Sequence, residues 1–258
     1  MRRIIIAAIA LLMAQPGLFG WGRPGHEIVI AIAKNHISET TRQNIARYMP
    51  YDMMKDAVWM DEHRNDAEIA YTTNWHVFSV DGKGKYDPNA RLGKEDAIYA
   101  LALADYNLSR LDELDDDTIL FNIRVLIHMV GDMHCPTHTI YPKMPTSGKR
   151  YVGDVEIKSF HTLYDRMPTY IWGSKPSAEI AGEIDNAKKS YIRNARKGCP
   201  VSWASDCAKR CEGIYEFNAL DQVELDPATF EKSRDIVEAQ LRDAGYRLAS
   251  LLDKYFGK

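Results

Sequence analysis

Residues 126–138 read LIHMVGDMHCPTH, three histidines and an aspartate among apolar or small neighbours. His128 and Asp132 are four apart, so on a helix they share one face, one turn above the other. That is the spacing from which a single helical face grips a cation. His138 follows Pro136, where a helix must stop and the chain can fold back toward the same point. His134 lies two residues from Asp132 and points to another side; it is expected to be structural, or to orient a ligand from behind. Cys135 reads as a small buried thiol, with thiolate ligation the alternative. Satisfied core histidines are the plainer explanation of such a stretch. They are the weaker one here, because each buried polar group without a partner costs about 2 kcal/mol or more. A bound cation removes that cost.

The arrangement recurs. In FHTLYD, residues 160–165, His161 and Asp165 are again four apart. NWHVFSV supplies His76, and VWMDEHRND supplies Asp61, Glu62 and Asp66. Nitrogen and oxygen donors suit zinc in an open, catalytic site. WGRPGH, residues 21–26, adds a different kind of donor. In a chain that starts at Trp21, the free α-amine, of ordinary pKa about 8, and the residue's own carbonyl oxygen can chelate one cation. Gly22, Pro24 and Gly25 allow a tight turn that returns His26 to it. The competing reading of these six residues is an ordinary N-terminus with an aromatic tucked into the core.

Such scattered donors need rigid elements to gather them, and the patterning is mostly helical. Residues 25–36, GHEIVIAIAKNH, predict a core helix. Glu39–Tyr48, Met53–Arg64 and Glu95–Leu111 carry apolar residues at three- and four-residue spacing. Residues 115–135 predict a long buried helix, with Asp115, Asp116 and Asp117 at its positive end. Residues 176–198 predict a helix framed by Pro176 and Gly198, and residues 227–257 a long amphipathic one. NWHVFSV is the best strand candidate, and residues 140–160 read as a loop with short extended pieces. The expected fold is mainly α, a single-domain helical bundle over residues 21–258 with a short strand or hairpin region.

The first twenty residues have a basic start at Arg2 and Arg3, an apolar run from Ile4 to Ala14 and a turn-prone exit. That pattern is a secretory signal, too short to span a bilayer comfortably; an uncleaved anchor is the competing reading. Cleavage after Gly20 leaves 238 of the 258 residues, enough for one full core. Losing Arg2 and Arg3 moves the formal charge from −3 to −5. Proteins that grip polyanions with lysine and arginine are basic, so a phosphate substrate here needs counter-charge from bound metal. Export also permits disulfides. One local bridge among Cys199, Cys207 and Cys211 is expected, its connectivity open.

WGRPGH, Asp61 in WMDEHR, His76 in NWHVF, the run from His128 to His138, FHTLYD and the weaker WASDCAKRCEGIY together resemble one family. It is the secreted zinc-dependent single-strand-specific nucleases, whose superfamily also contains the bacterial zinc phospholipases C. The likeness covers nearly all of residues 21–258 and implies a cleft holding three zinc ions. By resemblance, one zinc takes Asp61, His76, His128 and Asp132. Its neighbour takes the Trp21 amine and carbonyl, His26 and the bridging Asp132, and the third takes His138, His161 and Asp165. His36, His63 and His134 are left as structural or surface residues. The resemblance also implies single-stranded DNA or RNA as substrate, 5′-phosphate products and action on 3′-nucleotides. Asp132 and Asp81 are the catalytic candidates, Asp81 matching an acidic residue beside the attacking water. Paired zinc ions acidify a shared water toward a pKa of about 7, which supplies a nucleophile at neutral pH, while the third neutralises the leaving 3′-oxygen.

This chain departs from the family at Cys135 and Thr137, where relatives usually carry glutamine and leucine. The segment YVGDVEIKSFH is shorter than the matching loop of relatives and lacks their base-gripping asparagine; Asp154 stands near its place. Base preference is therefore open. A zinc phospholipase C has a longer gap between its first tryptophan and first histidine, and glutamate as its last ligand. Here the gap is five residues and the last ligand is Asp165, which favours a nuclease. An exported zinc-binding protein does not need a bridging carboxylate, and a purely structural helical protein needs no cation. The expected molecule is an exported monomer, free of the membrane once its signal is removed.

Overall fold

The computed structural model describes residues 21–90, 95–142, 149–152, 155–157, 159–217, 222–224 and 227–258. The expected signal segment, its cleavage site and Asp154 lie outside the described residues.

The fold starts with α1 (Arg23–His36), which has Pro24 in its first turn, where a missing N–H does no harm. Its Ile28–Ala33 stretch is buried all round, as befits a core helix. Next comes α2 (Glu39–Tyr48), capped by the Ser38 hydroxyl, which accepts from the Thr41 N–H. A 3-10 turn at Met53–Asp56 leads to the short α3 (Trp59–His63), and a second 3-10 segment, Ala70–His76, leads to β1 (Phe78–Ser79). Beyond these lie α4 (Ala97–Leu108) and α5 (Asp116–His134), the latter capped by the Asp115 carboxylate on the Thr118 N–H. Pro136 ends α5 in a 3-10 turn to His138, followed by β2 (Thr139–Ile140), β3 (Lys149–Val152) and β4 (Val155–Ile157). The rest is helical apart from β5 (Gln222–Glu224): α6 (Phe160–Asp165), α7 (Met167–Trp172), α8 (Ser177–Ile184), α9 (Lys189–Ala195), α10 (Pro200–Phe217) and α11 (Pro227–Phe256).

The long α11 lies along α1 and α5, α8 packs on α1, and α4 packs on α5. Gly245 lets α11 approach α1, since a Cβ there would sit 2.4 Å from Ile32 Cγ2. Strands β3, β4 and β5 form one small sheet. The parallel β1–β2 pair joins Phe78 to Thr139 and Ser79 to Ile140. That pair matters more than its size, because it clamps the chain just after His76 to the chain just after His138. The mainly α expectation therefore holds, and among the described residues no helix is long and apolar enough to cross a membrane.

Three expectations need correction. Met53–Arg64 is not one helix: it breaks at Ala57 and Val58, and the Ala57 carbonyl freed by the break accepts from His128. Residues 176–198 form two helices, because Asp185 turns out of the helix to accept hydrogen bonds from His36 and Tyr246. NWHVFSV is mainly the 3-10 segment, with two residues of strand at its end. The expected disulfide is also absent: Cys135, Cys199, Cys207 and Cys211 are all free. Cys207 and Cys211 sit one turn apart on α10, where Cβ atoms are roughly 5–6 Å apart; a disulfide needs about 3.5–4.5 Å. Cys199 is exposed at the foot of the same helix.

Candidate metal centre

Four buried donors converge from three parts of the chain. His26 comes from the first turn of α1, His76 from the end of the 3-10 segment, and His128 and Asp132 from α5. Asp132 is wholly buried and its two oxygens face different neighbours. Oδ1 lies 3.2 Å from His26 Nε2. Oδ2 lies 2.8 Å from His76 Nδ1 and 3.3 Å from His128 Nε2. Asp61, on α3, closes the far side, with Oδ1 3.7 Å from His76 Nδ1 and Oδ2 3.6 Å from His128 Nε2. The His26 and His128 rings stack at 4.3 Å.

A second cluster adjoins the first. His138 Nδ1 is 3.8 Å from Asp132 Oδ1, while its Nε2 is 3.8 Å from Asp165 Oδ1. His161 Nε2 is 3.4 Å from Asp165 Oδ2, one turn along α6. Backbone acceptors fix two of the rings: His128 Nδ1–H donates to the Ala57 carbonyl, and His138 Nδ1–H donates to the His76 carbonyl. Once neutral, each ring therefore offers its lone pair at Nε2, on the side of the cluster.

These groups satisfy one another only in part: His76 Nδ1–H donates to Asp132 Oδ2 at 2.8 Å, and His128 Nε2 lies 3.2 Å from His76 Nδ1. Buried atoms lacking any hydrogen-bond partner include both ring nitrogens of His26, Asp61 Oδ1, His76 Nε2, Asp132 Oδ1, His138 Nε2, His161 Nε2 and Asp165 Oδ2. His26 Nε2 and Asp132 Oδ1, though 3.2 Å apart, are misaligned for a hydrogen bond. The charges conflict in the same way. Burial and the nearby His128 push His26 down. Burial opposes charge on His128 as well, but Asp132 and Asp61 outweigh it and hold that imidazole well above the ordinary range. Burial and His138 push His161 down to about 3, and burial pushes Asp165 up to about 7. Orphaned lone pairs around shared points are what a polycation would satisfy. Donor atoms lie within 4.8 Å of one another in three sets: His26, His128 and Asp132; Asp61, His76 and His128; and Cys135, His138 and Asp165.

A model of the S1/P1 nuclease family matches residues 21–257. The chain belongs to the S1/P1 nuclease family. It is 24% identical to Nuclease S1 of Aspergillus oryzae, over 98% of this chain and 97% of that protein. It is 22% identical to Endonuclease 2 of Arabidopsis thaliana, over 98% and 97%. Nuclease P1 of Penicillium citrinum is also 22% identical, over 92% of this chain and 98% of its own length. S1/P1 nucleases are zinc-dependent hydrolases of phosphodiester bonds, and the nitrogen and oxygen donors of this member fit zinc.

Of the residues expected at the S1/P1 centre, Asp61, His76, His128, Asp132, His26, His138, His161 and Asp165 come together in these two adjoining clusters. Trp21 is fully buried, and the Gly22 N–H donates to the Asp165 carbonyl at 2.9 Å, which ties the WGRPGH stretch to the second cluster. Asp81 joins none of the three donor sets; it lies in a turn after β1, its Oδ1 accepting from the Lys83 and Lys85 amides. The three histidines left over have other work. His36 bonds Asp185, and His63 stacks on Trp59 and donates to its carbonyl. His134 does not orient a metal ligand: Nδ1–H donates to the Val130 carbonyl and Nε2 accepts from Arg247. Glu62 pairs with Arg23, and Asp66 is exposed. Gly131 is the residue that sequence reasoning missed. A Cβ there would lie 2.5 Å from His26 Nδ1, so only glycine admits the α1 histidine to α5. A glycine inside a buried helix, where it costs roughly 1 kcal/mol against alanine, is the signal that could have found it.

Proposed function

We propose that this chain is an exported nuclease that hydrolyses single-stranded DNA or RNA to 5′-phosphate products and also acts on 3′-nucleotides. It binds three zinc ions and works as a monomer. The observation that carries the reading is Asp132: one wholly buried carboxylate presents an oxygen to each of two histidine groups, as a bridging ligand must. One zinc is assigned to Asp61, His76, His128 and Asp132, and its neighbour to His26, Asp132 and the amine and carbonyl of Trp21. The third is assigned to His138, His161 and Asp165.

Zinc held there supplies the positive charge that acidifies water and offsets a phosphodiester. The chain's own residues do the rest. The carbonyls of Ala57 and His76 hold His128 and His138 in the tautomer that offers Nε2. Asp81 keeps Oδ2 free for a water, Oδ1 being engaged by its own turn. Export is supported by the signal-like first twenty residues and by a family match that begins at Trp21, the expected mature start.

The test is metal analysis of the mature protein together with digestion of single-stranded DNA. Three zinc ions and release of acid-soluble 5′-nucleotides support the reading. Hydrolysis of phosphatidylcholine without nucleotide release makes it a phospholipase. Bound zinc without turnover of any phosphodiester makes it a zinc-binding protein, and dialysed protein without zinc removes the metal centre altogether.

A further inference from the structure

We propose that Cys135 is a metal ligand of this centre: its thiolate joins His138 and Asp165 on the third cation, the one to which His161 is also assigned. The proposal rests on the reading of those three residues as ligands.

Cys135 is fully buried, with Sγ 3.7 Å from Asp165 Oδ1 and 3.6 Å from Thr137 Oγ1. Its sulfur, a His138 nitrogen and an Asp165 oxygen all lie within 4.8 Å of one another. The neighbours point at a ligand independently of the cysteine. His138 Nε2 and Asp165 Oδ2 belong to residues no more than 1% exposed, and both lack a partner, as does His161 Nε2. The backbone places Cys135 beside them. Cys135 is the extended residue between α5 and the 3-10 turn; its N–H donates to the Asp132 carbonyl at 2.9 Å and its carbonyl accepts from the His138 N–H at 3.0 Å. One peptide segment therefore carries Asp132, Cys135 and His138, and the sulfur lies against Asp165 and Thr137.

The chemistry follows from the donor set. Imidazole, carboxylate and thiolate donors together suit zinc, and sulfur favours zinc over magnesium, calcium or manganese. On binding, the thiol proton leaves to solvent and the sulfur lone pair goes to the cation. The third ion is thus the one retained longest under chelation.

Zinc-edge X-ray absorption of the zinc-loaded, full mature protein tests this directly. A sulfur scatterer is expected at about 2.3 Å, the ordinary Zn–S distance, and it should be missing in Cys135→Ser. Cys199, Cys207 and Cys211 join none of the donor sets found among the described residues, so the signal belongs to Cys135. The cobalt-substituted wild type should show thiolate-to-metal charge transfer in the near ultraviolet, lost in the same variant while the visible cobalt bands persist. Zinc-loaded wild type with no sulfur shell overturns the proposal, whether or not the variant folds. Cys135 is then only a hydrogen-bonding neighbour of Asp165. Digestion of single-stranded DNA by the same preparations separates the two readings. Activity without a sulfur shell sinks the ligand and spares the nuclease; a sulfur shell without activity does the reverse.

Discussion

Asp132 is a carboxylate that no water reaches, among three histidines within 3.3 Å. Burial penalises its charge, yet His128 and His138 hold it well below the usual carboxylate range, so it stays an anion and a ligand. Asp132→Ala removes a donor from two cations at once. We expect a greater loss of zinc affinity than the roughly 10–100-fold that follows removal of an outer partner, with single-strand digestion abolished; zinc titration and an acid-soluble nucleotide assay check this. Asp81 offers the opposite test. Its carboxylate is partly exposed, is held low by the Lys85 and Lys83 amides and joins no donor set, so Asp81→Asn should leave metal content unchanged. If Asp81 steadies the attacking water, kcat falls by about 10²-fold or more, the low end for a positioned acid–base group, with KM unmoved. An unaltered kcat would take Asp81 out of the reaction.

At the scale of elements, α5 is the spine of the centre. It carries His128 and Asp132 on one face, ends at Pro136 and returns through the 3-10 turn to deliver His138. Its partner α1 can deliver His26 only because Gly131 has no side chain. Gly131→Ala forces a methyl to 2.5 Å from His26 Nδ1. Overpacking of this kind costs roughly 1–3 kcal/mol, and displacing His26 should release one equivalent of zinc while the helix content stays native. Metal analysis beside circular dichroism reads both outcomes. Retention of all zinc would mean that His26 does not bind it.

For the whole molecule, a cluster of buried titratable donors makes stability depend on pH differently with and without zinc. In the metal-free protein burial opposes charge on His128 and His138, but the Asp132 carboxylate outweighs it and raises both above the ordinary 6.5. Above pH 6.5 the folded chain therefore binds more protons than the unfolded one, and stability falls as pH rises. Asp165, pushed by burial up to about 7, adds to that slope until it ionises. His26 and His161, both lowered, are neutral in both states above pH 6.5 and contribute only below it. With zinc bound the ligands have already lost their protons, so the sign reverses and stability rises with pH. Thermal unfolding at pH 6.5 and 8, with chelator and with zinc, should show opposite trends; parallel trends would refute the assignment. The front end gives a second prediction. A mature protein carrying one extra Met before Trp21 displaces the α-amine and should lose most of its activity and zinc from the site of His26, as metal analysis would show.

How much of this was legible beforehand follows from the range of the forces involved. The i,i+4 pairs His128/Asp132 and His161/Asp165, the stop at Pro136 and the cap at Asp115 are local, so sequence alone determined them. A buried helix shows in its unbroken apolar run for the same reason. Helix breaks at Ala57 and Asp185 were illegible, because what breaks them is a distant partner: His128 in one case, His36 and Tyr246 in the other. Tertiary structure also decided which side chains share a point. Nothing local says that Ala57 and His76 set the histidine tautomers, that Gly131 makes room for His26, or that Cys135 Sγ lies 3.7 Å from Asp165. Sequence spacing fixes neighbours within a turn; only packing of α1, α5 and α6 brings unsatisfied lone pairs from far along the chain around common points, where a cation offsets their burial.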